Sequence, residues 1–69
     1  MSSYTAIIKR DGKWWIGWIA EIPGVNSQGL TRRELISNLR SALREVLKMN
    51  RAEAKAGVKG EFEEETITA

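Results

Sequence analysis

Two short runs of β-branched and aromatic residues open the chain, and a turn separates them. Residues 4–9 (YTAIIK) and 14–20 (WWIGWIA) have the composition of β-strands. The pair Asp11-Gly12 lies between them. Such a pair is typical of a type I′ turn, whose two central positions need positive φ. We therefore predict an antiparallel β-hairpin at the start of the chain.

The second of these runs is apolar on both of its faces. Trp15, Gly17 and Ile19 occupy alternate positions and share one face. We assign this face, together with Ile7 of the first strand, to a core covered by a helix. Gly17 favours this assignment because a glycine within a strand leaves room for another element to approach closely. A shift of the hairpin register by one residue would exchange the two faces.

The opposite face of the hairpin is predicted to be an interface with another chain. A sheet face that carries two tryptophans is not expected to stay exposed on a monomer. Ala6 and Ile8 are assigned to this face as well. Its predicted contact residues are Tyr4, Trp14, Ile16 and Trp18. The partner is either a second copy of the chain or a different protein, and the alternative is that the C-terminal segment folds over this face.

A loop rich in turn-forming residues follows the hairpin, with the sequence EIPGVNSQGLTRREL at residues 21–35. Pro23 is predicted to end the second strand, because it has no N–H to donate to a neighbouring strand. Gly24 then completes a tight turn. Residues 25–29 are predicted to form a short third strand before a helix begins.

One long amphipathic helix is predicted from residue 32 to about residue 55. Thr31 and Glu34 match the T-x-x-E capping box, in which each residue bonds to a backbone N–H of the other. Gly57 is the predicted stop. Seven apolar residues share an arc of about 140° and are expected to pack on the sheet. They are Leu35, Ile36, Leu39, Ala42, Leu43, Val46 and Leu47.

Residues 62–68 regain some strand character and are predicted to form a returning strand next to four glutamates. These are Glu61, Glu63, Glu64 and Glu65. We expect them to form a solvated acidic edge, which discourages indiscriminate strand pairing, or an edge that meets a basic partner. The predicted order is β-β-β-α-β. The fold class is therefore α+β, with an antiparallel meander packed on one long helix in two layers.

The predicted helix also carries a basic ridge, whose six cations lie within an arc of about 80°. They are Arg33, Arg40, Arg44, Lys48, Arg51 and Lys55. We expect a solvated face, with the last cations favoured near the helix C-terminus. Pairing with the acidic tail is a second interpretation. Contact with nucleic-acid phosphates is a third and the least favoured, because no aromatic or glycine-rich platform accompanies the ridge.

Composition narrows the possible chemistry. The chain has 69 residues, no cysteine and no histidine, so a disulfide, a thiolate metal site and a histidine base are all excluded. Asp11, the only aspartate, is expected to form a turn. We predict no enzyme activity and no cofactor. A domain this small usually needs a disulfide, a metal ion or association with another chain to be stable, which favours a homo-oligomer. The chain shows no membrane span or signal peptide, so we expect a cytoplasmic protein.

An ordered set of residues resembles the signature of the HicB-like antitoxins. In that family an aromatic and a small residue precede E-[LI]-P-G, S-x-G-x-T, an acidic residue and a helical asparagine. The matching residues here are Trp15, Gly17, Glu21, Ile22, Pro23, Gly24, Ser27, Gly29, Thr31, Glu34 and Asn38. The resemblance implies a partial RNase H-like fold. It also implies binding to a small mRNA-cleaving toxin of HicA type, whose active site the protein covers.

The chain departs from the family pattern at three positions. Ala20, Val25 and Leu35 stand where members often have proline, cysteine and alanine respectively. The helix-turn-helix or ribbon-helix-helix that full-length members often carry is not expected here, so operator binding is not implied. The alternatives to an antitoxin are an orphan HicB-like scaffold or regulator, or a weak nucleic-acid binder that uses the basic ridge.

Overall fold

The computed structural model describes residues 3–67, which form a three-stranded antiparallel sheet followed by one long helix. The strands are β1 (Ala6–Asp11), β2 (Trp14–Ile19) and β3 (Asn26–Gly29), and the helix is α1 (Arg32–Ala56). The strands lie in the order β1-β2-β3, and each pairs antiparallel with its neighbour. The predicted meander, the third strand and the helix boundaries are confirmed, and the architecture is α+β.

The hairpin turn lies one residue later than the sequence predicts. Asp11 belongs to β1 and pairs with Trp14, so the central residues are Gly12 and Lys13. Gly12 has a φ of 61°, whereas no non-glycine residue among 3–67 has a positive φ. Positive φ at the first central position alone is the pattern of a type II′ turn, which favours glycine there. The predicted type I′ turn centred on Asp11-Gly12 is therefore wrong.

The register of β1 corrects the predicted faces. Ile8 pairs with Gly17, whereas Ile7 pairs with Trp18. Ala6 and Ile8 therefore face the helix and Ile7 faces outward, which is the reverse of the prediction for all three. A hairpin with a two-residue turn always pairs an odd-numbered residue with an even-numbered one, and paired residues lie on the same face of the sheet. Odd-numbered Ile7 therefore shares a face with the even-numbered residues of β2 and cannot share one with Gly17. The prediction for β2 holds, since Gly17 is buried and Trp18 is 42% exposed.

The core lies between β2, the loop after it and the first turns of α1. Four hydrophobic side chains are buried there: Ile19, Val25, Leu35 and Leu39. A ring of half-buried residues packs against them, namely Ala6, Ile8, Trp15, Ile22, Ala42, Leu43 and Val46. Five of the seven predicted stripe residues thus pack in or against this core, whereas Ile36 is half-buried outside it and Leu47 at the end of the stripe is exposed.

The second part of α1 extends beyond the sheet. Every residue from 47 to 56 is exposed, and the molecule measures 52 × 22 × 16 Å. The helix ends at Gly57, whose N–H donates to the carbonyl of Glu53 at 3.1 Å. Gly57 has a φ of −77°, so the helix ends without a left-handed residue at this position.

The predicted fourth strand is absent from the described part of the chain. Residues 58–67 contain no strand, and residue 68 lies outside the described residues. Glu64 instead approaches α1, with Oε1 lying 3.0 Å from the Nζ of Lys55. Glutamate is a poor strand former, which disfavours a strand in this segment, and the Glu64 carboxylate pairs with the helix instead.

Candidate interaction surfaces

Glu21, the acid of the E-I-P-G motif, anchors the start of β1. The backbone N–H of Thr5 donates to Oε1 of Glu21 at 2.7 Å, while the carbonyl of Thr5 accepts from the N–H of Ala20. This hydrogen bond lowers the pKa of Glu21 below its ordinary value, because it stabilises the ionised carboxylate. The carboxylate therefore satisfies a backbone donor that would otherwise lack a strand partner.

The rest of the E-I-P-G motif turns the chain so that Val25 enters the core. Gly24 has a φ of 88°, a left-handed conformation that glycine adopts without strain. The N–H of Ile19 then donates to the carbonyl of Val25 at 2.9 Å. Val25 itself is only 2% exposed, so the turn contributes one of the four core side chains.

Two glycines of the signature lie where the backbone leaves no room for a side chain. A methyl group on Gly29 would lie 2.7 Å from the backbone nitrogen of Leu35. On Gly17 it would lie 2.8 Å from the carbonyl oxygen of Ile7 and 3.2 Å from Cδ1 of Leu39. Both glycines therefore allow the sheet and the first turns of the helix to pack closely.

The remaining polar residues of the signature fix the helix to the third strand. The hydroxyl of Thr31 accepts from the N–H of Glu34 at 3.1 Å and caps the helix. The reciprocal bond from the Glu34 carboxylate is absent among residues 3–67. The Asn38 side-chain amide donates to the carbonyl of Gln28 at 2.9 Å, which satisfies an acceptor on the outer edge of β3.

The signature residues therefore account for the fold rather than for any chemistry. Each of the hydrogen bonds and close approaches described above is internal to the module. No polar or charged side chain among residues 3–67 is buried. Nor do His, Cys, Asp or Glu residues in this range gather into a group of three that could hold a metal ion. Functional surfaces must be sought on the exterior.

The outer face of the sheet is the first of these surfaces. Its rows, read across the strands, are Ile7–Trp18–Asn26 and Lys9–Ile16–Gln28, with Trp14 at the hairpin end. Ile7 is 39% exposed and Trp18 is 42% exposed. Within residues 3–67, no other element packs over this face. Sequence reasoning missed Ile7, although the parity of a two-residue hairpin turn could have placed it here.

The four predicted interface residues are not all brought together. Trp14, Ile16 and Trp18 lie on the outer face, as predicted. Tyr4 precedes β1 and is not part of the paired ladder, although it is exposed. The ammonium group of Lys13 lies 5.7 Å from the centre of the Trp14 ring, which adds a cation–π contact at the hairpin end.

The basic ridge is the second surface, and all six of its residues are exposed. It flanks the apolar stripe of α1 and points away from the sheet. At its C-terminal end Oε1 of Glu64 lies 3.0 Å from Nζ of Lys55 and 3.5 Å from Nη2 of Arg51. The hydrogen bond from Lys55 and its charge lower the pKa of Glu64 below its ordinary value.

The tail forms a shallow cleft with the end of the helix. Its volume is about 220 Å³, and Phe62 and Val58 face the exposed helix there. Glu64 is the only one of the four predicted acidic residues that makes an ion pair within residues 3–67. The predicted acidic edge is therefore an irregular segment held to the helix through Glu64.

No protein-family model, curated protein or solved structure matches the chain. Within the described residues, no helix combines the length and the apolar character needed to cross a membrane. The outer sheet face and the basic ridge are the two candidate functional surfaces.

Proposed function

We propose that the chain is a non-enzymatic binding module of HicB-like type, with a partial RNase H-like fold. Its partner is a small mRNA-cleaving ribonuclease of HicA type, whose active site it covers. The observation that carries this proposal is the apolar outer face of the sheet. The ordered signature supports the family, since Glu21, Gly17, Gly29, Thr31 and Asn38 each have a defined place in the packing.

The outer face has the chemistry of a protein-binding surface. Trp18 and Ile7 stand side by side on two paired strands, and both remain more than one third exposed. Tryptophan is enriched among the residues that dominate binding energy at protein interfaces. Asn26, Lys9 and Gln28 surround this apolar pair with polar groups. An apolar centre with a polar rim is the usual composition of such an interface.

The arrangement of acidic residues supports a binding role rather than catalysis. A metal-dependent nuclease brings several carboxylates together around its metal ions. Here Asp11 lies at the hairpin turn, Glu21 bonds to Thr5, and Glu64 bonds to the end of α1. These carboxylates are held apart on separate elements. This arrangement supports the proposed role, in which the protein covers a surface of its partner.

Co-expression with a small ribonuclease encoded beside this chain tests the proposal. We expect the wild-type chain to restore growth and to co-purify with the ribonuclease. The double variant Ile7→Ser/Trp18→Ser should lose both effects. Met49→Ser is the matched control, because Met49 is also an exposed apolar residue but lies on the projecting part of α1. Failure of the wild-type chain to suppress any such ribonuclease would refute the proposal, and rescue by the double variant would exclude this face.

A further inference from the structure

Cations occupy nearly every position of α1 that faces the direction of the basic ridge. At 100° per residue, seven positions of α1 between 33 and 55 fall in its arc of about 80°. Six of them are Arg or Lys, and Ser37 is the only exception. The three glutamates of α1 fall outside this arc, and they are Glu34, Glu45 and Glu53. The helix therefore contributes no negative charge to the ridge, and Ser37 is its one uncharged position.

The ridge is also long, and its N-terminal half is rigidly supported. Arg33 and Lys55 are separated by about 33 Å along the helix axis, at 1.5 Å per residue. That length corresponds to about ten base pairs of duplex, at 3.4 Å each. The N-terminal half of the ridge belongs to the turns that pack on the sheet through Leu35 and Leu39. The cations on that half are thus held on a fixed scaffold.

One anion is already seated on the ridge, and it comes from the chain itself. Oε1 of Glu64 bridges Nζ of Lys55 and Nη2 of Arg51, at 3.0 and 3.5 Å. A single oxygen can therefore contact two ridge cations at once. Among residues 3–67, the other four cations make no ion pair. They are Arg33, Arg40, Arg44 and Lys48.

We propose that the basic ridge binds the phosphate backbone of a double-stranded nucleic acid, and that Glu64 competes with that backbone for Arg51 and Lys55. This function is separate from the partner binding assigned to the outer sheet face. The ridge carries no aromatic residue, and proteins that bind single strands rely on aromatic side chains that stack on bases. A duplex presents its phosphates without requiring stacking, so the ridge favours a duplex and reads no sequence.

The competition has a measurable consequence in the salt dependence of binding. Each phosphate neutralised on B-DNA contributes about −0.9 to the slope of log K against log salt. With Glu64 in place, the four open cations give a slope of at most about −3.6. With Glu64 removed, all six contribute, and the limiting slope becomes about −5.4.

Fluorescence anisotropy with a labelled 20-base-pair DNA duplex, at salt concentrations from 25 to 200 mM, tests the binding surface. We expect salt-sensitive binding of the duplex that exceeds binding of the single strand of equal length. Arg40→Gln/Arg44→Gln should weaken binding at least tenfold at the lowest salt. Arg10→Gln/Lys59→Gln removes the same charge away from the ridge and should change duplex binding less than threefold.

A gain-of-function variant keeps this test independent of folding defects. Ser37→Lys completes the arc and should tighten duplex binding, with a slope steeper by up to about 0.9. Circular dichroism and thermal melting confirm that each variant is folded. The ridge proposal is overturned if the wild-type chain shows no duplex binding at 25 mM salt, or if polyglutamate binds more tightly than the duplex, since that would assign the ridge to an acidic protein.

Glu64→Gln tests the competition. We expect tighter duplex binding and a slope steeper by up to about 1.8, because two more cations become available. Glu63→Gln is the matched control, because it changes the net charge equally while Glu63 makes no ion pair with the ridge among the described residues. Equal effects of the two substitutions would overturn the competition and leave only a general effect of net charge.

Discussion

Gly17 of β2 and Leu39 of α1 meet at the centre of the interface between the sheet and the helix. A methyl group on Gly17 would lie 3.2 Å from Cδ1 of Leu39, and the carbonyl oxygen of Ile7 would be closer still, at 2.8 Å. A side chain at this position would press on the backbone of β1 and on the core at the same time. The absence of a side chain at Gly17 therefore sets how closely the helix approaches the sheet.

Gly17→Ala should destabilise the fold by about 1–3 kcal/mol, as overpacking of a close-packed core does. Urea unfolding followed by tryptophan fluorescence measures the change. Gly57→Ala is the control, because a methyl group there would meet only ordinary contacts, at 3.7 Å and beyond, and φ is −77°. We expect it to leave stability unchanged or raise it by up to about 1 kcal/mol. A Gly17→Ala protein as stable as wild type would contradict the close packing.

Glu21 should make stability depend on pH in the acidic range. The bond from Thr5 lowers the pKa of Glu21 in the folded chain. Its contribution is therefore fully present above the ordinary glutamate pKa of about 4.3, and it is lost as the pH falls through the lowered folded-state value. Glu21→Gln should be less stable than wild type at pH 7, and the difference should shrink on acidification.

Urea unfolding of both proteins between about pH 7 and pH 2.5 measures that convergence. Glu65→Gln serves as the control, because Glu65 is exposed on the tail. We expect its stability to stay close to that of wild type. A constant gap between Glu21→Gln and wild type across the range would indicate that the carboxylate charge does not stabilise the start of β1.

Asn38→Ala should loosen the third strand. The carbonyl of Gln28 loses its donor, which costs about 1 kcal/mol for an ordinary hydrogen bond. Hydrogen exchange should become faster in β3, whereas exchange in β1 should change less. Ser41→Ala, an exposed substitution on the same helix, is the matched control. Identical exchange of β3 in both variants would show that the Asn38 bond contributes nothing.

The uncovered outer face of the sheet predicts self-association of the protein in the absence of another partner. We expect the wild-type chain to sediment at micromolar concentration as a species larger than the 7.8 kDa monomer. Trp18→Ser should shift the distribution toward the monomer, and Met49→Ser should not. Sedimentation of the wild-type chain as a monomer would contradict the prediction.

Local sequence signals were enough to predict most of the architecture. Pro23 and Gly24 separate β2 from β3, and the threonine cap marks the start of α1 at Arg32. These signals act within a few residues along the chain. The faces of β1 were harder, because Ile7 and Ile8 are both apolar and composition cannot distinguish them. The register decides between them, and the register depends on which two residues form the turn.

The candidate surfaces were predicted only in part, because some of their contacts join residues distant in sequence. Glu21 accepts a hydrogen bond from Thr5, which lies 16 residues earlier in the chain, and Glu64 accepts one from Arg51, which lies 13 residues earlier. The basic ridge was predictable from helical periodicity alone. Its partial occupation by Glu64 was not, because the sequence predicts pairing only with the acidic segment as a whole. The failure of the fourth strand to form is what leaves this carboxylate free to reach the helix.

The part of α1 that extends beyond the sheet links the length of the helix to the affinity of the ridge. Its last ten residues lack buried side chains, and an isolated helix of that length is marginally stable in water. Fraying there would disperse Lys48, Arg51 and Lys55. Any polyanion that gathers these three cations must in turn favour the helical state, by the same free energy. The projecting turns therefore exchange between helical and frayed states, and binding would shift this equilibrium toward the helix. The gain in helix content and the gain in binding affinity would both report the free energy that couples folding of these turns to binding.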